Sequence, residues 1–325
     1  MIDSRDFFVV SSQAAGEHIR VRQRVGERLA SVADERTRAP VLFVHGATYP
    51  GVMFDVPGVS WMQAVAAQGR AAYALDVRGY GGSTRPDSMG QPAADGVPCC
   101  HAESAAGDIA DVVAAIQARS GAEQVDIVGW SWGTLTSGLY ASCQPAALRR
   151  LVLFAPVYGA RNPHWLAQLA EPDNPDVMRA VGAWRSESRA QAGARWAAQI
   201  QADDPQTWRD AAVLDAWYDA MLADEPASAP PDAVQAPNGV LEDLWAVFNG
   251  RARYNAGAIN VPTLVIRGSC DPTATREDAL GLLDSLGSAH KQYTEIGHAT
   301  HFALLEHRRH ALIDQVGAFL DAAWP

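Results

Sequence analysis

The chain has 325 residues, of which 48% are hydrophobic and 19% charged. That supports a large packed core and excludes an intrinsically disordered chain. The formal net charge of −11 argues against nucleic acid or an anionic membrane as the main partner, because both require clustered Lys and Arg. Four cysteines (Cys99, Cys100, Cys143 and Cys270) do not make a disulfide framework in a chain of this length.

The opening MIDSRDFFVVSS has no basic region followed by an apolar run, so no secretory leader is expected. No stretch approaches the roughly 18 uninterrupted apolar residues of a membrane span. The expectation is a soluble cytoplasmic protein acting on a small molecule. Residues 7–13 and 18–25 read as two strands, the second alternating apolar and basic side chains, as on a sheet edge with one wet face. VLFVH (41–45), AAYALD (71–76), VDIVGW (125–130), LVLFA (151–155) and TLVIRG (263–268) are nearly all apolar, the signature of strands buried on both faces of a parallel sheet. QYTEI (292–296) reads as the last strand. Helical patterns fall between them at 61–69, 104–121 and 134–143, and in the second of these Ile109, Val112, Val113 and Ile116 share a face.

This order predicts an α/β fold with a mostly parallel, doubly wound sheet, whose ligands bind beyond the carboxyl ends of the strands. The rhythm stops between Ala155 and Val261. Helices are expected over 176–201 and 204–223 and a Pro/Ala-rich loop over 225–237, with six of the ten tryptophans in the segment. The predicted organisation is a core of residues 1–155 and 261–325 with a helical cap, 156–260, inserted. Trp324 is expected to dock on its own core, or else at a subunit contact. The oligomeric state is left open.

Gly129-Trp130-Ser131-Trp132-Gly133 fits G-x-S-x-G straight after a buried strand and straight before a helix. A turn this tight leaves no room for side chains two residues either side of the serine, hence the two glycines. The serine then sits at a helix N-terminus, where the dipole favours developing negative charge.

These features resemble the α/β-hydrolase superfamily, and the resemblance covers almost the whole chain. LFVHGAT (42–48) is similar to the family's strand and oxyanion loop. It implies backbone N–H donors from Ala47 and from Trp132, the residue after the nucleophile. DVRGYGGS (76–83) looks like a scaffold turn of the same family. The family order is Ser, acid, His. Ser269-Cys270-Asp271-Pro272 resembles the acid loop, and the other acid position, 156–160, holds no carboxylate. The base is then one of two histidines in Gly297-His298-Ala299-Thr300-His301-Phe302. His301 precedes an aromatic residue and has Glu306 five positions on, as the family's histidine does, whereas His298 directly follows glycine.

The resemblance implies a Ser131–His301–Asp271 triad with no metal or organic cofactor. A serine at the elbow sets the chain apart from the aspartate-based dehalogenases and epoxide hydrolases. His-Gly-Ala-Thr is neither the His-Gly-Gly-Pro-Gly of proline iminopeptidases nor the HGGG of another lipase branch. An ester or lactone hydrolase is the first expectation, with C–C or amide hydrolysis and a non-enzymatic small-molecule binder as alternatives. Tyr49, Phe54, Trp130 and Trp132, with cap tryptophans, are expected to line an apolar acyl pocket, with His298 as a neighbour. Cys99-Cys100-His101 lacks the spacing of a zinc site and reads as a loop leading into a helix.

Overall fold

The computed structural model describes residues 2–26 and 38–323; Trp324 lies outside them. Strand β1 (Ile2–Val10) pairs antiparallel with β2 (His18–Gly26), Val10 opposite His18. The first strand thus begins earlier than the expected 7–13 and ends with its apolar run at Val10. The chain turns at Ser12, whose N–H donates to Asp111 Oδ2 at 2.8 Å. β2 is not an edge strand. Its apolar face (Ile19, Val21, Val25) enters the core, and the arginines of its other face meet acids instead of water. Arg20 pairs with Asp6 at 2.5 Å and Asp224 at 2.6 Å, Arg22 with Asp224, and Arg24 with Asp55.

Strands β3 (Val41–Val44), β4 (Ala72–Leu75) and β5 (Val125–Trp130) are buried along their whole length, and β6 (Leu148–Phe154) nearly so. Alternate residues of β3 face opposite sides: Leu42 and Val44 join one core cluster, Val41 and Phe43 the other. On the first side lie α2 (Ala102–Ser120), with Ile109, Val112, Val113 and Ile116 buried, and α3 (Trp132–Ser142). On the second lies α1 (Trp61–Ala67), capped by Ser60, whose Oγ accepts from Gln63 N at 3.0 Å.

After β6 the chain leaves the sheet. It forms α4 (Pro163–Leu169), β7 (Ala170–Glu171), β8 (Asn174–Met178), β9 (Trp184–Ser188), α5 (Arg189–Ala197), α6 (Val213–Leu222), β10 (Ala233–Pro237) and α7 (Gly239–Phe248). It then rejoins the sheet as β11 (Thr263–Gly268), followed by α8 (Arg276–Ser285), β12 (Lys291–Ile296) and α9 (Arg309–Asp321). The eight-stranded sheet runs β1-β2-β4-β3-β5-β6-β11-β12, parallel from β4 onward. This is the doubly wound α/β architecture the sequence predicts.

The excursion is less helical than its sequence suggests. Residues 174–178 and 184–188 are strands, and helix begins only at Arg189, where Ser188 and Gln191 form a reciprocal capping box. The expected loop over 225–237 ends in buried β10, paired antiparallel with β9. Nor do the excursion's side chains keep to themselves. Trp196 and Trp217 belong to the core cluster on the α1 side of the sheet, Leu244 and Val247 to that on the α2 side. Among the described residues, no helix is long and apolar enough to cross a membrane.

Candidate active site

Four strand ends meet at one rim of the sheet. Ser131 sits between β5 and α3 with φ 57° and ψ −124°, a region that L-residues rarely occupy. Its N–H donates to Phe154 O at 3.0 Å and its carbonyl accepts from Thr134 N at 2.8 Å, so both neighbouring elements fix the turn. The flanking glycines are steric necessities. A Cβ on Gly129 would lie 2.4 Å from the Gly133 carbonyl oxygen, and one on Gly133 2.3 Å from that of Val44. Gly46 obeys the same constraint, since its Cβ would meet Ser131 Cβ at 3.0 Å.

Beyond β11, Asp271 is buried and fully engaged. Oδ1 accepts from the N–H groups of Thr273 (2.8 Å) and Ala274 (2.9 Å), and Oδ2 faces His301 Nδ1 at 2.8 Å. Arg267 holds the loop from beneath, donating to the Ala274 carbonyl at 2.6 Å and the Asp271 carbonyl at 3.0 Å. Asp271 therefore favours the tautomer with hydrogen on Nδ1 and leaves Nε2 free to accept.

The histidine loop is tied down from several sides. Glu306, fully buried, accepts from Thr300 N (3.0 Å), Thr300 Oγ1 (2.5 Å) and Trp196 Nε1 (2.9 Å). The His301 carbonyl accepts from Trp130 Nε1 at 3.0 Å, and His301 N donates to Gln199 Oε1 at 3.1 Å. Gly268 lets this loop approach β11, because a Cβ there would lie 2.4 Å from the Ala299 carbonyl oxygen.

The loop after β3 completes the rim. His45 is buried, its Nδ1–H directed to the Gly46 carbonyl at 2.8 Å and its Nε2 accepting from Val77 N at 3.0 Å. Burial lowers its pKa to about 4, so the ring is neutral. The Ala47 carbonyl accepts from Tyr80 Oη and from Arg185 Nη2, both at 2.7 Å. Tyr80 belongs to the glycine-rich turn after β4, which Asp76 knits together by accepting from Gly51 N (2.7 Å) and Gly82 N (3.1 Å). Arg185, from β9, is half-buried and also donates to Thr48 Oγ1 at 2.9 Å and the Pro237 carbonyl at 2.8 Å.

Ser131, His301 and Ala47 line one cavity with Tyr49, Trp130, Trp165, Arg195 and Phe302 among others; its volume is about 40 Å³. Two residues expected there lie elsewhere. Phe54 packs against Phe43, ring centroids 4.9 Å apart, in the core beneath. His298 is exposed, with φ 53° and its ring near Trp208 at 6.0 Å, because the loop must reverse before it delivers His301. Trp132 is likewise not a pocket wall. Its side chain is buried in the core and donates to Asp243 Oδ2 at 3.0 Å. Sequence reasoning missed Arg195 and Gln199 at the cavity and Arg185 behind the Ala47 loop; all three come from the excursion, and no local motif marks them.

The model of the α/β hydrolase fold family matches residues 39–308, and the chain belongs to that family. Solved structures with the same fold include the enol-lactonase from Burkholderia xenovorans LB400, with 19% identity, TM-score 0.64 and coverage of 97% of this chain and 100% of that one. A thermophilic esterase from Thermogutta terrifontis, with malate bound, is 16% identical with TM-score 0.59, covering 97% of this chain and 98% of that one. The 2-hydroxy-6-oxo-6-phenylhexa-2,4-dienoate hydrolase from Rhodococcus sp. strain RHA1 is 16% identical with TM-score 0.62, covering 99% and 100%. No curated protein matches the chain.

Proposed function

We propose that this protein is a serine hydrolase that cleaves a carboxylic ester or lactone of a small, largely apolar substrate through an acyl-enzyme. The observation that carries this reading is the Asp271–His301 hydrogen bond of 2.8 Å, whose imidazole lines the same cavity as Ser131 on its strained turn. Ser131 Oγ attacks the acyl carbon while His301 Nε2 takes its proton. Asp271 holds the Nδ1–H tautomer and stabilises the imidazolium. The tetrahedral oxyanion is received by the backbone N–H groups of Ala47 and Trp132, each worth roughly 3–4 kcal/mol. The Trp132 N–H belongs to the first turn of α3 and has no acceptor within the helix. His301 returns the proton to the leaving alcohol, and water then releases the acid by the same route.

Tyr49, Trp130, Trp165, Leu244 and Phe302 give the cavity an apolar wall, and Arg195, Gln199 and Thr273 add polar atoms. A cavity of about 40 Å³ is too small for an ester, since sites for organic ligands are typically about 300 Å³ or more. In this reading residues 156–260 act as a cap, and substrate entry displaces cap side chains such as Arg195, Gln199 and Trp165.

A fluorophosphonate probe tests the proposal. Wild-type protein labels on Ser131 and Ser131→Ala does not. A folded wild type that resists the probe would overturn the enzyme reading in favour of a small-molecule binder. A panel of short-chain esters, lactones, aryl esters and amides defines the bond. Turnover confined to vinylogous diketo acids would instead point to C–C hydrolysis.

A further inference from the structure

Two adjacent thiols lie outside the catalytic cavity. Cys99 and Cys100 precede α2 and are wedged between two glycines. The Cys99 carbonyl accepts from Gly239 N at 2.9 Å, and Cys100 Sγ lies 2.8 Å from where a Cβ on Gly79 would sit. Neither glycine can gain a side chain without displacing the pair. Cys100 holds φ 61°, a left-handed backbone that L-residues seldom adopt, so the tertiary structure and not local preference sets the conformation at this dipeptide. The thiols are carried by adjacent residues, Cys99 Sγ donates to the Ala183 carbonyl at 3.9 Å, and both residues are half-buried, within reach of a small oxidant. Cys143 and Cys270 have no cysteine neighbour in sequence.

We propose that Cys99 and Cys100 are a two-electron redox site that closes a vicinal disulfide when a hydroperoxide reaches the pair. The adjacent Cys100 thiol, the largest influence on Cys99, lowers its pKa to about 6 and favours Cys99 as the attacking thiolate. Cys99 and burial together push the Cys100 thiol up.

The Cys99 thiolate attacks one peroxide oxygen. An S–O bond forms, the O–O bond breaks, and the departing oxygen leaves as hydroxide, which is neutralised to water by the proton that Cys99 gave up on ionising. Cys100 then loses its proton as its sulfur attacks the Cys99 sulfenic acid; an S–S bond forms, the S–O bond breaks, and the oxygen leaves as water. The sum is two thiols and one hydrogen peroxide giving one disulfide and two waters. Neighbouring Cα atoms are about 3.8 Å apart across a trans peptide, short of the roughly 4.4–6.8 Å of ordinary disulfides. The bond is therefore strained and easily reduced, which is the behaviour of a labile switch and not of a structural staple.

The test uses the purified full-length chain and hydrogen peroxide, followed by N-ethylmaleimide and peptide mass mapping. The peptide carrying both residues is expected to lose the mass of two hydrogens and to take no label, while Cys143 still labels. Dithiothreitol restores both labelling sites. In Cys100→Ala, Cys99 halts at the sulfenic acid and is captured by dimedone; in Cys99→Ala, Cys100 is not. Full labelling of both residues after peroxide would overturn the proposal. So would a sulfinic acid on Cys99 in the wild type, or a disulfide joining either residue to a different cysteine. The wild-type map decides the matter even if a variant fails to fold.

Discussion

His45→Gln should change the acid stability of the protein by an amount the structure fixes. His45 is fully buried, with both ring nitrogens committed in the neutral form, and a second proton would have to enter at Nε2, which already faces the Val77 N–H. Its folded pKa is about 4, against about 6.5 in the unfolded chain. Between those values the unfolded chain binds a proton that the folded chain refuses, so stability is lost as pH falls through this window. By about pH 4.5 the loss comes to about 2.5 kcal/mol. Glutamine keeps an acceptor but cannot titrate, and gives up the bond to Gly46, worth about 1 kcal/mol. Wild type should thus be the more stable protein near pH 8 and the less stable near pH 4.5, by about 1 kcal/mol or a little more in each case. Asp108 and Asp243, both raised to about 6 by burial, act in the opposite sense, binding protons in the folded state first. They are present in both proteins and cancel in the difference. Urea unfolding of the two proteins at both pH values, followed by tryptophan fluorescence, measures it. A difference that stays constant with pH would refute a buried, neutral His45.

Ser131→Gly should be more stable than Ser131→Ala by about 1–3 kcal/mol, because only glycine relaxes the φ 57° turn; thermal unfolding of the two inactive variants checks this. Gly133→Ala should cost about 3 kcal/mol or more, since its Cβ would sit 2.3 Å from the Val44 carbonyl oxygen, and would show as a lowered urea midpoint. Asp271→Asn should leave the fold intact and lower kcat on the order of 10⁴-fold on any ester that the wild type turns over, by favouring the wrong imidazole tautomer. Glu306→Gln puts an amide where three donors converge on a carboxylate; it should destabilise by about 1.5–3 kcal/mol and slow fluorophosphonate labelling of Ser131 through a displaced His301. Trp132→Ala should cost stability, about 3–5 kcal/mol, without altering acyl preference, because its side chain is core and not pocket.

Local order left strong traces in the chain. Both-face burial makes β3, β4, β5 and β11 nearly all apolar, so the parallel sheet could be read directly. The elbow could be read because its sterics require Gly129 and Gly133 around Ser131, a constraint within five residues. Asp271 and His301 are suggested by the resemblance of their loops to the family's acid and histidine loops, but only the folded chain puts the two side chains 2.8 Å apart across 30 positions of sequence. What the excursion contributes was not legible. β9 and β10 are short, and residues 189–232 separate the strands that must find each other before either has a ladder partner. Arg185, Arg195 and Gln199 sit in no motif, and their approach to the Ala47 loop and to His301 depends on how that excursion folds back over the rim. Phe54 and His298 went astray for a related reason: composition says that a side chain is aromatic or titratable, whereas the turn of the backbone decides which way it faces. Short-range sterics and strand burial are written in neighbouring residues; direction and long-range contact are fixed only when distant segments pack together.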